Sequence, residues 1–184
     1  MPLKELPKNH DLKHLEWALG FIEKTEVAID GGAHQGIWTR RLLDVFDHVI
    51  AFEPIESNRV KIPAGAEVYP YAIGDYDGPV GMQHGTENTG QGHVTEGDST
   101  KMVMLDSLGV DCDFLKLDVE GYELQALIGA WEMIHRCKPL IMIEENGLCK
   151  RYGVEPMAAD QWLKDAGYKC LGNMNKDYLY QWNR

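Results

Sequence analysis

The sequence predicts an α/β fold: a mostly parallel sheet with helices on both faces, closed at its C-terminal end by an antiparallel hairpin, in a single domain over residues 1–184. Three observations carry that expectation. Short apolar runs alternate with helical patterns along the chain, as parallel strands joined by right-handed crossover helices require. The last two apolar runs are separated only by a polar turn, so they must pair antiparallel; a parallel pair needs a crossover of about a dozen residues. No repeat, low-complexity tract or Pro/Gly/Ser-rich linker divides the 184 residues, a length that suits one domain with its own core.

The elements follow in order. Leu12, Leu15, Leu19 and Ile22 recur at helical spacing from Asp11, a residue type favoured at the N-cap, to about Lys24, within an N-terminal helical segment at 1–25. Val27, Ala28 and Ile29 form a compact strand that ends at Asp30 and a glycine turn. Residues 37–46 read as a helix with Leu42, Leu43 and Phe46 on one face, and residues 49–52 as a second buried strand closed by Glu53-Pro54. A short helix from about Ser57 leads to a third strand at 67–71. Residues 74–104 break the rhythm. Gly74, Gly78, Gly81, Gly85, Gly90, Gly92 and Gly97 make this stretch turn-rich, so a hairpin with a long loop placed as a lid is expected. The alternation then resumes with a strand at 114–118, a helix at 122–135, a strand at 140–143 and a helix at 156–166 that opens with Pro in its first turn. Two short strands, near 168–171 and 178–182, end the chain.

Composition removes several partners. Lys and Arg number 18 against 29 Asp and Glu, a formal charge of -11. Gripping a phosphate backbone requires a basic footprint, so this balance argues against nucleic acid. The four cysteines, Cys112, Cys137, Cys149 and Cys170, form no C-x-x-C pair; two fall in or beside apolar runs and read as buried reduced thiols. No charged-then-apolar leader is present, and no apolar run approaches the roughly 18 residues that span a bilayer. A soluble, cytoplasmic protein with no membrane partner is expected.

Four sites carry candidate chemistry. The first is the turn Asp30-Gly31-Gly32-Ala33-His34-Gln35-Gly36 after the first strand. In doubly wound sheets a ligand sits at the carboxyl ends of the strands where strand order reverses, glycines let it approach the backbone, and a helix N-terminus favours an anion. Ala33 occupies the middle glycine position of G-x-G-x-x-G, so the turn suits the carboxylate of an amino acid better than a diphosphate, with Asp30 as partner for the amino group. The second is Glu53, 23 positions after Asp30; an acid there accepts both hydroxyls of an adenosine ribose, whether of a nicotinamide cofactor or of S-adenosylmethionine. The third is Lys116-Leu117-Asp118-Val119-Glu120-Gly121, where residues two apart share a side if the strand continues. Charges ending an apolar strand are costly unless paired, so a salt bridge of Lys116 to a neighbouring acid competes with a functional role. The fourth is Glu144-Glu145-Asn146. With Asp118 it offers oxygen ligands from adjacent strand ends, a candidate divalent metal site of Asp118, Glu145 and Asn146, against simple polar capping.

Together these stretches resemble the FkbM family of methyltransferases. Asp30-x-Gly32-Ala33-x-x-Gly36-x-x-Thr39 is similar to its glycine motif, Glu53-Pro54 to its acidic strand end, and Ala72-Ile73-Gly74-Asp75 with Gly78 to its third-strand segment. The most specific stretch runs Leu105-Asp106-Ser107-Leu108, then Phe114 to Gly121, then Glu123, Leu127 and Gly129-Ala130, with Pro139 and Glu144 beyond. The resemblance covers about residues 27–146; His34 departs from it, since the family usually has Asn there. It implies a Rossmann-like methyltransferase fold and transfer of a methyl from S-adenosylmethionine to a hydroxyl of a sugar, polyketide or similar metabolite. The implied cofactor residues are Asp30, Gly31, Gly32, Ala33, Gly36, Thr39, Glu53, Ala72 and Ile73. A base for the acceptor hydroxyl is expected at Asp118, His84 or His93, with Glu120 positioning the acceptor, a small molecule or glycan. Four alternatives stay open at this point: a methyltransferase acting on nucleic acid or protein, a nicotinamide-dependent oxidoreductase, a non-catalytic S-adenosylmethionine-binding module, and an α/β domain whose polar strand ends are structural only.

Overall fold

The computed structural model describes residues 10–83 and 92–183. Its centre is a seven-stranded sheet in the order β3-β2-β1-β7-β8-β10-β9, made of β1 (Val27–Gly31), β2 (His48–Phe52), β3 (Glu67–Tyr69), β7 (Phe114–Leu117), β8 (Leu140–Glu144), β9 (Tyr168–Met174) and β10 (Asp177–Trp182). The first five neighbours run parallel, and β10 pairs antiparallel with both β8 and β9. Strand order reverses between β1 and β7, which puts a crevice at their carboxyl ends. A mostly parallel sheet with an antiparallel C-terminal hairpin is therefore what the chain builds.

The central strands are buried on both sides because their side chains alternate between two apolar layers. Ile29, Ile50, Leu115 and Ile141 pack on one face with Leu127, Met133 and Leu163 of α4 (Glu123–Ile128), α5 (Trp131–Cys137) and α6 (Ala158–Asp165). Ala28, Val49, Phe114 and Met142 pack on the other with Leu12, Leu15 and Leu42 of α1 (His10–Leu19) and α2 (Ile37–Leu42). The remaining helix, α3 (Glu56–Arg59), follows β2.

Local differences from the periodicity have physical causes. The helix expected at 122–135 is two helices, α4 and α5, broken at Gly129. A Cβ there would lie 1.9 Å from the Gly74 carbonyl oxygen. Asp106 then starts α5 from outside, its carboxylate accepting the Glu132 and Met133 N–H groups at 2.9 and 2.8 Å; this satisfies donors that a helix start leaves open. Residues 74–104 supply β5 (Gly78–Gln83) and the eleven-residue β6 (His93–Val103). With β4 (Tyr71–Ile73) they form a second, three-stranded sheet, β4-β6-β5, beside the carboxyl ends of the main one. Among the described residues no helix is long and apolar enough to cross a membrane.

Candidate functional site

Three chain reversals meet at the crevice. After β1 the backbone enters left-handed conformations at Gly32 (φ 76), His34 (φ 50) and Gly36 (φ 75). Histidine shares with asparagine an above-average tolerance of that region, so His34 suits the backbone that the family's Asn would occupy. The turn is tightly tied. Gly32 and Ala33 N–H groups donate to the Phe52 carbonyl at 3.1 and 2.9 Å, and Gly36 N–H to Ala33 O at 2.8 Å. These three amides are thus engaged within the protein, two of them with the end of β2. Gly32 is required for another reason: a Cβ there would lie 1.9 Å from the Asp118 carbonyl oxygen, so the reversals after β1 and β7 meet through it.

Asp30 is fully buried. One carboxylate oxygen accepts the Thr39 hydroxyl at 2.6 Å and the other lies 3.1 Å from the Lys116 ammonium. Asp30 and Thr39 thus brace the turn from behind. Lys116 also donates to the Gly32 carbonyl at 2.8 Å and stands 3.7 Å from an Asp118 oxygen. Burial by itself would lower its pKa, but Asp30 and Asp118 outweigh burial and hold it above the ordinary lysine value. The salt-bridge reading of Lys116 is what the structure contains.

Glu53, just past β2, is 5% exposed. Its two oxygens accept the His34 and Ile55 N–H groups at 2.9 and 2.8 Å. Burial pushes its pKa up to about 7, against the pull of those two hydrogen bonds, Lys116 and Arg59. Glu53 lies in a cavity walled by Phe52, Ile55, Ala72 and Ile73, with Met82 and His93 from the second sheet and Gly32, Asp118, Val119 and Glu120 from the two turns. Gly31 and Gly36 flank the turn without reaching it, and Ala33 faces a second cavity that shares Gly32, His34 and Asp118 with the first. That second cavity adds His14, Trp38, Lys116, Glu144 and Asp177. His84 lies outside the described residues.

The acidic turn after β7 is shaped by one side chain. The strand ends at Leu117, so Lys116, Asp118 and Glu120 do not continue an alternating row. Glu120 adopts φ 57 and Gly121 φ 98. The buried Glu123 carboxylate accepts the Val119 and Gly121 N–H groups at 3.0 and 3.2 Å. Burial, then the Asp118 charge, pushes Glu120 up to about 7 against Arg151 and Lys116; burial pushes Glu123 to about 7 as well. At the end of β8, burial first and then Asp118, Glu120 and Asp177 raise Glu144.

Two of the three candidate metal ligands are engaged with nearby groups of the chain. A Glu145 oxygen accepts the Met157 N–H at 3.3 Å, ahead of α6. Asn146 accepts the Leu148 N–H at 2.9 Å and donates to Glu144 at 2.5 Å. Among the described residues no group of three His, Cys, Asp or Glu side chains is placed to hold a metal ion. Of Asp118, Glu145 and Asn146, only Asp118 lines the two cavities.

Three contributors escaped the sequence: His14, Trp38 and Asp177. The His14 imidazole pairs with Asp177 across 163 positions, and no local pattern reveals such a pair. Trp38 lies under the Lys116 ammonium, 5.5 Å from its ring centre. Glu144, the fourth contributor to the second cavity, is legible from its place at the end of an apolar run.

Comparisons with known proteins agree with this architecture. The family model described as the Methyltransferase FkbM domain matches residues 105–170. That segment holds the most specific of the FkbM-like motifs. No curated protein matches the chain. Among solved structures, methyltransferase FkbM from Methylobacillus flagellatus is similar with a TM-score of 0.59 at 19% identity, over 89% of this chain and 45% of that one. The chain thus spans under half the length of that protein. A Streptococcus mutans protein described as a methyltransferase, in complex with SAH, gives a TM-score of 0.54 at 13% identity, covering 95% of this chain and 97% of that one. Precorrin 8w decarboxylase of Methanobacterium thermoautotrophicum gives 0.53 at 15%, with coverages of 96% and 91%. Residues 105–170 match the FkbM methyltransferase domain, and they do so on a chain whose whole fold is class I methyltransferase-like.

Proposed function

We propose that this protein is an S-adenosylmethionine-dependent methyltransferase that acts on a hydroxyl of a small-molecule or glycan acceptor. One observation carries the reading. A buried acid, Glu53, sits in a largely apolar cavity at the switch point of the sheet, and Asp118 and Glu120 line the same cavity. Phe52, Ile55, Ala72 and Ile73 offer the apolar walls an adenine needs, and each Glu53 oxygen keeps acceptor capacity for a ribose hydroxyl beyond its one N–H bond. S-adenosylmethionine, when bound, supplies an electrophilic methyl group. Asp118 or Glu120 takes the proton from the acceptor hydroxyl as its oxygen forms the new bond, a contribution of about 10² to 10⁴-fold. A Glu120 carboxyl held near 7 is suited to exchanging that proton at neutral pH. His93, on the same cavity, is a third candidate. Four free thiols fit a reducing, cytoplasmic setting.

Calorimetric titration with S-adenosylmethionine, S-adenosylhomocysteine and NAD tests the reading, repeated on Glu53→Ala. Both sulfur ligands should bind and NAD should not, with binding lost in the variant. Binding of NAD alone would replace the methyltransferase by an oxidoreductase.

A further inference from the structure

We propose that Lys116 is a positioning residue of this site: its one ammonium holds the Gly32 turn and Asp118 in register, beyond neutralising Asp30. The proposal rests on the functional reading above. Lys116 is the third of four residues in β7, an otherwise apolar strand in the middle of the sheet, beside Asp30 on one side and Met142 on the other. Its side chain is 7% exposed, a costly place for a cation unless its partners are close. Those partners come from three different parts of the crevice. Asp30, 3.1 Å away, is the fourth residue of β1; the Gly32 carbonyl, 2.8 Å away, belongs to the turn; Asp118, 3.7 Å away, belongs to both cavities.

A mere charge pair would need Asp30 alone. The contact with the Gly32 carbonyl matters because Gly32 holds a left-handed conformation against the Asp118 backbone. The ammonium therefore pins the two reversals at the point where they touch, and it reaches the acid that both cavities share. Removing it frees the turn that lines the cofactor cavity as well as unpairing Asp30.

A comparison of Lys116→Met with the double variant Asp30→Asn/Lys116→Met separates the two roles. Thermal unfolding and calorimetric titration with S-adenosylhomocysteine are measured on each. Lys116→Met should lose stability, because it strands a buried carboxylate, and should lose affinity about tenfold or more through misplacement of the turn. The double variant should recover most of the stability and none of the affinity. A double variant that binds like wild type overturns the proposal, since the lysine then only balances Asp30. Should the methionine pair fail to fold, Asp30→Asn/Lys116→Gln repeats the comparison with a polar side chain too short to span Gly32 and Asp118. A wild-type protein without affinity for S-adenosylhomocysteine overturns the functional reading and the proposal together, an outcome distinct from the loss of the proposal alone.

Discussion

The turns after β7 and after β8 start from similar material, acidic residues ending an apolar parallel strand, and end in opposite uses. After β7 a carboxylate from further along the chain, Glu123, takes the free N–H groups of the turn, and Asp118 and Glu120 are left facing the cavity. After β8 Glu145 and the amide Asn146 are spent on backbone themselves: Glu145 accepts from Met157, ahead of α6, and Asn146 from Leu148. A strand-end acid is available for chemistry when another group satisfies the backbone of its turn or, as at Glu53, when its oxygens keep acceptor capacity beyond the N–H groups they take.

The largest expected effect on this comparison is Asp118→Asn. Turnover against an acceptor panel should fall by about 10² to 10⁴-fold, while calorimetry finds affinity for S-adenosylhomocysteine little changed. Loss of both would assign Asp118 to cofactor binding or folding. Next is Gly32→Ala, which forces a side chain against the Asp118 carbonyl in a left-handed conformation. Strain and overpacking together should cost about 3 kcal/mol or more in urea unfolding, and a loss under 1 kcal/mol would mean that the two turns do not touch as described.

The pH dependence of stability should be smaller and opposite in sign to that of a salt-bridged carboxylate. Glu53, Glu120 and Glu123 are raised from 4.5 to about 7, so the folded protein keeps protons that the unfolded chain has released. Stability should therefore fall as pH rises from about 4.5 through 7. Glu120→Gln and Glu123→Gln should flatten the curve of urea midpoint against pH; a slope unaffected by either variant refutes the burial argument. Glu145→Ala should remove one hydrogen bond to the Met157 N–H, about 1 kcal/mol, with no change in ligand affinity or turnover. If it abolished turnover instead, the contrast between the two turns would collapse. Smallest of all, EDTA and added Mg²⁺ should leave S-adenosylhomocysteine affinity unchanged.

Much of the site was legible because it lies at strand ends, and strand ends show in the periodicity. Asp30, Glu53, Asp118 and Glu144 all follow apolar runs, and the cavity is built around three of them or their neighbours. Lys116 was legible as a paired charge, since an unpaired one in that strand would be prohibitive. The break at Gly129 was not, because it answers a backbone oxygen from Gly74, and helical periodicity is blind to a partner 55 positions away.

By itself the sequence determined the parallel sheet with its closing hairpin and the acids at its carboxyl edge. Alternation of apolar runs and the length of a connection are local quantities, and they decide which strands run parallel. Only the tertiary structure decided which acid faces the ligand and which caps a backbone, and it alone paired His14 with Asp177 and tied Lys116 to both Asp30 and the Gly32 turn. The direction of a side chain at a chain reversal depends on which distant donors need satisfying, and those donors are brought near only by folding.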